Sequence, residues 1–192
     1  MNLSVFKTFP EMETSRLLLQ DLRNADPKEI LELRSDPMIL RFIDKDPAQS
    51  IEDALKHIEV IKTAFEECSA ISWIIVEKKE RKVLGNIGLW RFIPEHNRAE
   101  IGYVLKPQYW GKGLMKEAMD VIVRYGFKQL EVHSIEANIN PANVQSKKVL
   151  EKCKFKQEAY FRENYFYNGT FLDSAIYSFL STTRYQITGM GI

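Results

Sequence analysis

A loop of sequence Gln-Tyr-Trp-Gly-Lys-Gly occupies residues 108–113, between a segment that alternates like a β-strand and a segment with helical periodicity. From Leu114 to Tyr125 the apolar residues recur at the spacing of one helix face, which predicts an amphipathic helix directly after the loop. Backbone N–H groups in a glycine loop at this position, together with the first turn of the helix, would face an anion. The loop therefore predicts an anion site, for which phosphate is the expected ligand.

Two common nucleotide-binding motifs do not match this loop. A P-loop needs the pattern GxxxxGK followed by Ser or Thr, whereas Gly113 follows Lys112 and no glycine stands at the required upstream position. A dinucleotide-binding fingerprint needs GxGxxG and an acidic residue about twenty positions further on, and neither feature fits here. The spacing thus excludes both classes of nucleotide site.

Length and composition predict one soluble domain over residues 1–192. The chain is 45% hydrophobic, which is enough for a single core. Its charged residues nearly cancel to a net charge of +1, so neither nucleic acid nor a membrane surface is an expected partner. The apolar runs are far shorter than a membrane span, and the N-terminus lacks the features of a secretion signal. We therefore expect a cytoplasmic protein.

The cysteine and histidine residues do not predict a metal site. Cys68 and Cys153 are too far apart in the sequence for a CxxC motif, and a reducing compartment would keep them as thiols. The three histidines show neither HxxxH nor HExxH spacing. No metal cofactor is expected.

The elements around the loop predict one α+β domain. Residues 71–77, 83–92 and 97–105 are three successive β-rich runs, which predict an antiparallel meander. Asn168-Gly169 predicts a hairpin that joins residues 161–167 to residues 171–180. The other predicted elements are a strand at residues 14–22, a helix starting at Asp26-Pro27, a helix from Ser50 with an apolar stripe including Ala54, Leu55 and Phe65, a strand at residues 134–138 and a helix starting at Asn140-Pro141.

Gln108, Gly111 and Gly113 fill the pattern Q/R-x-x-G-x-G/A, which resembles the pyrophosphate loop of the GNAT acetyltransferases. Residues 99–105 are similar to the central strand of the branch that acetylates ribosomal-protein N-termini, the RimJ/RimL type. Residues 143–155, which begin Asn-x-x-Ser, resemble the second cofactor-side helix of that family. Further likenesses extend over nearly the whole chain, at residues 14–19, residues 35–37, Gly169, Asp173 and Tyr177.

This resemblance implies the GNAT fold, a mixed and mostly antiparallel central sheet of six to seven strands flanked by about four helices. It also implies acetyl-CoA as co-substrate, an amine as acceptor, and a monomer or homodimer. The residues that it places at the cofactor are Tyr103, Val104, Leu105, Gln108, Gly111, Lys112, Gly113, Leu114 and Asn143. Asp173 and Tyr177 would line the acceptor slot.

Two positions depart from the family pattern. Lys154 stands where the family usually has a glycine that ends the second helix in the left-handed conformation, which costs a lysine some energy. Leu150 stands where many members have a tyrosine as general acid, seven residues after Asn143. Ser146 or a water molecule would then protonate the leaving thiolate.

Glu100 is the expected general base. It precedes Ile101 on the predicted central strand and so lies on the same face as Gly102. A carboxylate with an ordinary pKa of about 4.3 is a poor direct base for an amine, so partial desolvation or a water relay is expected. A solvated surface glutamate is the alternative interpretation. Gly102 predicts a bulge or a close backbone approach, or else tight packing within the sheet.

Together these residues predict an N-acetyltransferase that moves acetyl from acetyl-CoA to a primary amine by direct attack in a ternary complex. A protein N-terminal α-amine is the expected acceptor, because its pKa lies about two units below that of lysine and leaves more of it neutral. The alternatives are a polyamine, small-amine or antibiotic acetyltransferase and a non-catalytic module that binds acetyl-CoA.

Overall fold

A computed structural model describes residues 1–181. The strands are β1 Met12–Glu13, β2 Leu17–Asp21, β3 Ile71–Glu77, β4 Val83–Ile93, β5 Arg98–Leu105, β6 Ser134–Ile139, β7 Lys156–Tyr167 and β8 Thr170–Leu180. The helices are α1 Pro27–Ser35, α2 Pro37–Leu40, α3 Ile51–Glu66, α4 Leu114–Lys128 and α5 Val144–Lys152. The strands form one sheet in the order β1-β2-β3-β4-β5-β6-β8-β7, in which only the β5–β6 pair of the described strands is parallel. Among the described residues, no helix combines the length and the apolar character that a membrane span requires.

The expected α+β class is confirmed, but the expected counts of six to seven strands and about four helices are too low. Residues 1–181 contain eight strands and five helices. The additional strand is the two-residue β1, which pairs with β2. The additional helix is α2, which begins directly after α1 because Asp36 accepts hydrogen bonds from the N–H groups of Met38 and Ile39, at 2.7 and 3.4 Å.

The predicted start of α5 at Asn140-Pro141 is wrong. Asn140 forms a turn instead, because its side chain accepts from the N–H of Ala142 and its carbonyl from the N–H of Asn143, each at 2.9 Å. The helix begins at Val144, with Asn143 as its N-cap. Val144, the first residue of this helix, is 53% exposed.

Two apolar clusters cover opposite faces of the sheet. The larger lies beneath α4 and α5 and contains the fully buried Trp73 and Leu150. The smaller lies beneath α1, α2 and α3 and contains Ile30 and Ile74. Trp73 and Ile74 are adjacent in β3 and therefore point to opposite sides. We refer to these sides as the α4–α5 face and the α1–α3 face.

Strand β5 lies where the sheet opens. Tyr103 packs on the α4–α5 cluster and Val104 on the α1–α3 cluster, so alternation places Glu100 and Gly102 on the α1–α3 face. Parallel pairing with β6 ends at Glu100, whose partner is Glu136. Beyond this pair no strand within residues 1–181 pairs with β5 on that side.

Candidate active site

A cavity of about 410 Å³ lies between the end of β5, the segment around α2, and the first turns of α4 and α5. Eight of the predicted site residues line it: Tyr103, Val104, Leu105, Gly111, Gly113, Leu114, Asn143 and Ser146. Apolar residues from α2 and the segment after it form another part of the wall: Met38, Ile39, Phe42 and Ile43. The fold thus joins the glycine loop to the Asn-x-x-Ser segment in one cavity.

The glycine loop leaves the N-terminus of α4 open. Gly111 and Gly113 both have φ of +75°, a left-handed conformation that glycine adopts without a steric penalty. Gly113 is the N-cap of α4, and no side chain caps the helix there. The first-turn N–H groups of this 15-residue helix therefore lie next to the cavity without a side-chain cap, where they favour an anion.

Basic side chains that sequence reasoning missed add positive charge to the same cavity. Arg41, Lys116, Lys148 and Lys152 line it, whereas no carboxylate belongs to its described wall. Lys148 and Lys152 are one helical turn apart on α5, and this spacing was the signal that could have identified them. The open helix end and these cations fit the phosphate groups of CoA.

Glu117 anchors the glycine loop to the N-terminal strands. Its carboxylate accepts hydrogen bonds from the hydroxyls of Thr14 and Ser15 and from Arg16, with Arg16 Nε at 2.6 Å. Arg16 also donates to the carbonyl of Lys112 at 3.1 Å. Burial would raise the pKa of Glu117, but the hydrogen bonds outweigh it and lower the pKa to about 2. About 100 residues separate the partners, so no local pattern could reveal this contact.

At the other side of the cavity, the first turn of α5 brings three polar groups together. Asn143 Oδ1 accepts from the N–H of Ser146 at 3.0 Å and so caps the first turn of α5. The Ser146 hydroxyl is 2.7 Å from the Tyr103 hydroxyl. Leu150, one turn further along, is fully buried. The hydroxyl pair therefore lies between β5 and α5, above an apolar floor.

Glu100 lies on the α1–α3 face and is not among the residues that line this cavity. Its side chain is only 16% exposed, and Arg91 Nη1 donates to it at 3.0 Å. Burial raises the pKa of Glu100 and Glu136 adds to this rise, while Arg91 opposes it. The partly desolvated carboxylate that the sequence predicts is thus present, and a fully solvated surface glutamate is not.

Gly102 is not required by packing. A Cβ atom at Gly102 would meet nothing nearer than the Trp90 indole nitrogen, at an ordinary contact distance of 3.7 Å. At Gly85, by contrast, a Cβ would lie 2.1 Å from the carbonyl oxygen of Val104. The buried indole N–H of Trp90 has no hydrogen-bond partner among the described residues. Room for a methyl group and the unused indole N–H of Trp90 therefore lie next to Gly102.

The segment after α2 closes over the α1–α3 face from the side. Lys45 Nζ lies 5.8 Å from the centre of the Trp90 ring. The neighbouring Asp44 accepts from the hydroxyl of Tyr165, and Asp46 accepts from that of Tyr167 at 3.4 Å. These contacts tie the segment to the β7–β8 hairpin and bring distant parts of the chain to Glu100's side of β5.

Besides Glu100, four predicted site residues lie outside the cavity wall. Gln108 and Lys112 are exposed at its rim, next to residues that do line it. Asp173 accepts from the hydroxyl of Tyr160 and from the N–H of Glu163 in a shallow depression of the β7–β8 hairpin. Tyr177 is 2% exposed and donates to Gln157 at 3.0 Å. Within residues 1–181, no cluster of three or more His, Cys, Asp or Glu side chains is arranged to hold a metal ion.

The sequence profile of the acetyltransferase (GNAT) domain matches residues 16–156 of this chain. This interval contains both β5 and the glycine loop. YoaA of Bacillus subtilis, an uncharacterized N-acetyltransferase, is 32% identical over 170 residues, which cover 88% of this chain and 96% of YoaA.

Two solved structures share the fold. Spermidine N-acetyltransferase from Vibrio cholerae, in complex with CoA and spermine, has a TM-score of 0.77 at 22% identity, covering 88% of this chain and 98% of that chain. Ribosomal-protein-S5-alanine acetyltransferase from Vibrio fischeri has a TM-score of 0.75 at 23% identity, covering 89% and 96%. At these identities the likeness concerns the fold alone.

Proposed function

The chain belongs to the acetyltransferase (GNAT) family and is an acetyl-CoA-dependent N-acetyltransferase; we propose that its acceptor is the α-amine of a protein N-terminus. The observation that carries this proposal is the environment of Glu100. Its carboxylate is partly buried, has a pKa raised by that burial, and is already paired with Arg91. Such a group suits an amine of modest pKa and offers little surplus negative charge to a polycation.

Two ion pairs on β4, β5 and β6 balance the charges next to Glu100, while Asp44 and Asp46 of the segment after α2 accept from the hydroxyls of Tyr165 and Tyr167. Arg91 pairs with Glu100, Lys45 lies beside Trp90, the strand partner of Glu100, and Glu136 is paired with an arginine of its own. A polyamine carries several ammonium groups and would need surplus carboxylates here. A peptide N-terminus brings one ammonium group, with a pKa of about 8 that leaves roughly a tenth neutral at pH 7. This balance favours a peptide acceptor.

In the proposed reaction, Glu100 accepts a proton from the acceptor ammonium, directly or through water. As the amine nitrogen bonds to the acetyl carbon it loses its second proton to water, and main-chain N–H groups between Tyr103 and Leu105 stabilise the charge on the carbonyl oxygen until the carbon–sulfur bond breaks. Ser146 gives its proton to the departing sulfur and recovers one from solvent. The proton is thus removed on one face of β5 and supplied on the other.

The remaining assignments belong to the same proposal. Asn143 and residues 108–114 would hold the cofactor, with Gln108 and Lys112 reaching it from the rim of the cavity. Asp173 and Tyr177 would support the acceptor side, since Asp173 helps to fix the β7–β8 hairpin that contacts the segment after α2.

Release of CoA thiol by the purified full chain tests the acceptor. We expect the fastest release with peptides that have a free N-terminus, and little release with the same peptides when the N-terminus is blocked but a lysine is retained. Faster release with spermidine or an aminoglycoside than with any peptide would overturn the peptide assignment. The protein could instead bind acetyl-CoA but release no CoA thiol with any acceptor, and Glu100→Gln could leave this behaviour unchanged. That result would identify a non-catalytic acetyl-CoA-binding module.

A further inference from the structure

The hydroxyl pair between β5 and α5 makes Tyr103 a candidate for a role beyond the main-chain contacts assigned to it. Tyr103 and Ser146 both line the cavity. Their oxygens are 2.7 Å apart, and the phenol is also 3.4 Å from the main-chain carbonyl of Ser146. Two hydroxyls at this distance share one hydrogen, so the direction of the shared bond decides where the Ser146 hydrogen points.

We propose that Tyr103 is a positioning residue for proton delivery: its hydroxyl donates to Ser146 Oγ and directs the Ser146 hydrogen toward the sulfur of CoA. An anionic sulfur next to Ser146 requires a donor, which Ser146 supplies only if its oxygen accepts from elsewhere. Tyr103 is the neighbour that can make this donation. A hydroxyl that accepts one hydrogen bond also becomes a stronger donor in the next.

Neighbouring groups leave Tyr103 as a neutral donor. Burial raises the pKa of the Tyr103 phenol well above its usual value, so it keeps its proton throughout a practical pH range. Cys153 follows on the same side of α5, and burial raises the pKa of its thiol to about 12, which keeps it uncharged as well. On α4, the ammonium of Lys116, which also lines the cavity, is 2.6 Å from the carboxylate of Asp120. These groups do not change protonation state between pH 7 and about 9.5.

Tyr103→Phe tests this role, because it removes the hydroxyl and keeps the ring. The role rests on the proposed transferase reaction, so turnover is measured with the acceptor that the wild type uses fastest. We expect kcat to fall about tenfold, with little change in the KM for acetyl-CoA. In a Ser146→Ala background the same change should have almost no further effect. Equal losses in both backgrounds would assign Tyr103 to packing and overturn the proposal.

Binding of CoA gives a second readout that needs no turnover. Desulfo-CoA lacks the thiol, so the ratio of the two affinities reports contact with the sulfur. We expect wild type to favour CoA increasingly between pH 7 and about 9.5, as the thiol ionises, and Tyr103→Phe and Ser146→Ala each to lose this preference. Loss in Ser146→Ala alone, or no preference in wild type, would overturn the role of Tyr103.

A matched control removes a hydroxyl elsewhere. Tyr125 is buried in α4, and its hydroxyl has no partner among the described residues. Tyr125→Phe should therefore leave both turnover and the CoA preference unchanged. The protein could prefer CoA over desulfo-CoA through both hydroxyls and yet acetylate no tested amine. That result would reject the proposed acetylation of these amines while supporting the Tyr103–Ser146 pair.

Discussion

The α4–α5 face and the α1–α3 face of β5 are assembled in different ways. On the α4–α5 face, most of the cavity wall comes from two short stretches, residues 103–116 and residues 143–152. On the α1–α3 face, Glu100 and Gly102 meet Trp90 of β4 and the segment after α2, which the hairpin in turn holds in place. The proposed cofactor side is therefore built mainly from two short stretches that distant contacts hold together, whereas the proposed acceptor side is built from strand neighbours and a segment held by the β7–β8 hairpin.

The largest expected effect separates catalysis from cofactor binding. Glu100→Gln should lower kcat by about 10² to 10⁴-fold, because it removes the proposed base. CoA affinity, measured by calorimetry, should remain unchanged, since Glu100 does not line the cavity. Glu136→Gln, on the neighbouring strand, should have a much smaller effect on kcat. A parallel loss of CoA affinity in Glu100→Gln would show that the two faces are not separate sites.

Acid should weaken the α1–α3 face before the α4–α5 face. Burial, followed by the charges of Arg34 and Lys45, lowers the pKa of His57 on α3 from 6.5 to about 4. The folded state therefore resists protonation, so stability is retained above pH 6.5 and decreases as the pH falls toward 4, by about 2 kcal/mol after allowance for partial exposure. On the other face, Glu117 has a pKa of about 2, so the stability that its ionised carboxylate contributes is lost only between pH 4.5 and 2.

Urea unfolding at a series of pH values measures this difference. His57→Gln should reduce the decrease in the free energy of unfolding between pH 6.5 and 4, whereas Glu117→Gln should leave that decrease in place. Replacement of the exposed His133 by Gln serves as the control and should retain the full decrease. An unchanged profile in His57→Gln would show that another group governs acid sensitivity.

Gly102→Ala tests whether the open space beside Trp90 is used by the reaction. Because a Cβ fits there without a clash, the melting temperature should stay close to that of wild type. The acceptor amine would lose that space, so kcat/KM should fall about tenfold. Gly85→Ala is the matched comparison and should lower stability by about 1–3 kcal/mol, since its Cβ would overlap the Val104 carbonyl. Full activity in Gly102→Ala would mean that the space is not part of the site.

The smallest expected effect concerns the end of α5. Lys154 has φ of +69°, the left-handed conformation that a glycine would adopt without strain. Lys154→Gly should therefore raise the free energy of unfolding by about 1 kcal/mol, with no change in CoA affinity. Lys156→Gly, in the extended conformation of β7, should bring no such gain. Thermal unfolding of both variants distinguishes relief of backbone strain from removal of a positive charge.

Local patterns predicted those parts of the fold that nearby residues determine. The glycine loop, the meander and the Asn168-Gly169 hairpin are all present, because turn geometry and alternation act over a few residues. Alternation also identified Glu100 and Gly102 as neighbours on one face. At Asn140-Pro141 the sequence carries both a helix-start signal and a turn signal. The predicted helix start is wrong there, because the Asn140 side chain forms a turn and the helix begins only at Val144.

Long-range contacts were beyond the reach of sequence patterns. Leu55 fits the apolar stripe of α3 but is 49% exposed, because the sheet contacts a narrower part of that helix than the periodicity suggests. The Tyr103–Ser146 pair and the Arg16–Glu117 anchor each join residues that are distant in the chain. Such pairs depend on how the helices pack against the sheet, and the spacing of residues in the sequence does not determine this packing.

The divergence of β5 from β6 leaves an open sheet edge in the absence of cofactor. Beyond Glu100, peptide groups on that side of β5 have no strand partner among residues 1–181. Exposed edges of this kind pair with strands of other chains unless they are covered. CoA bound along β5 as proposed would cover this edge, so the protein stored with CoA should scatter less light over time than the protein stored without it. The same open edge would then be a route to self-association.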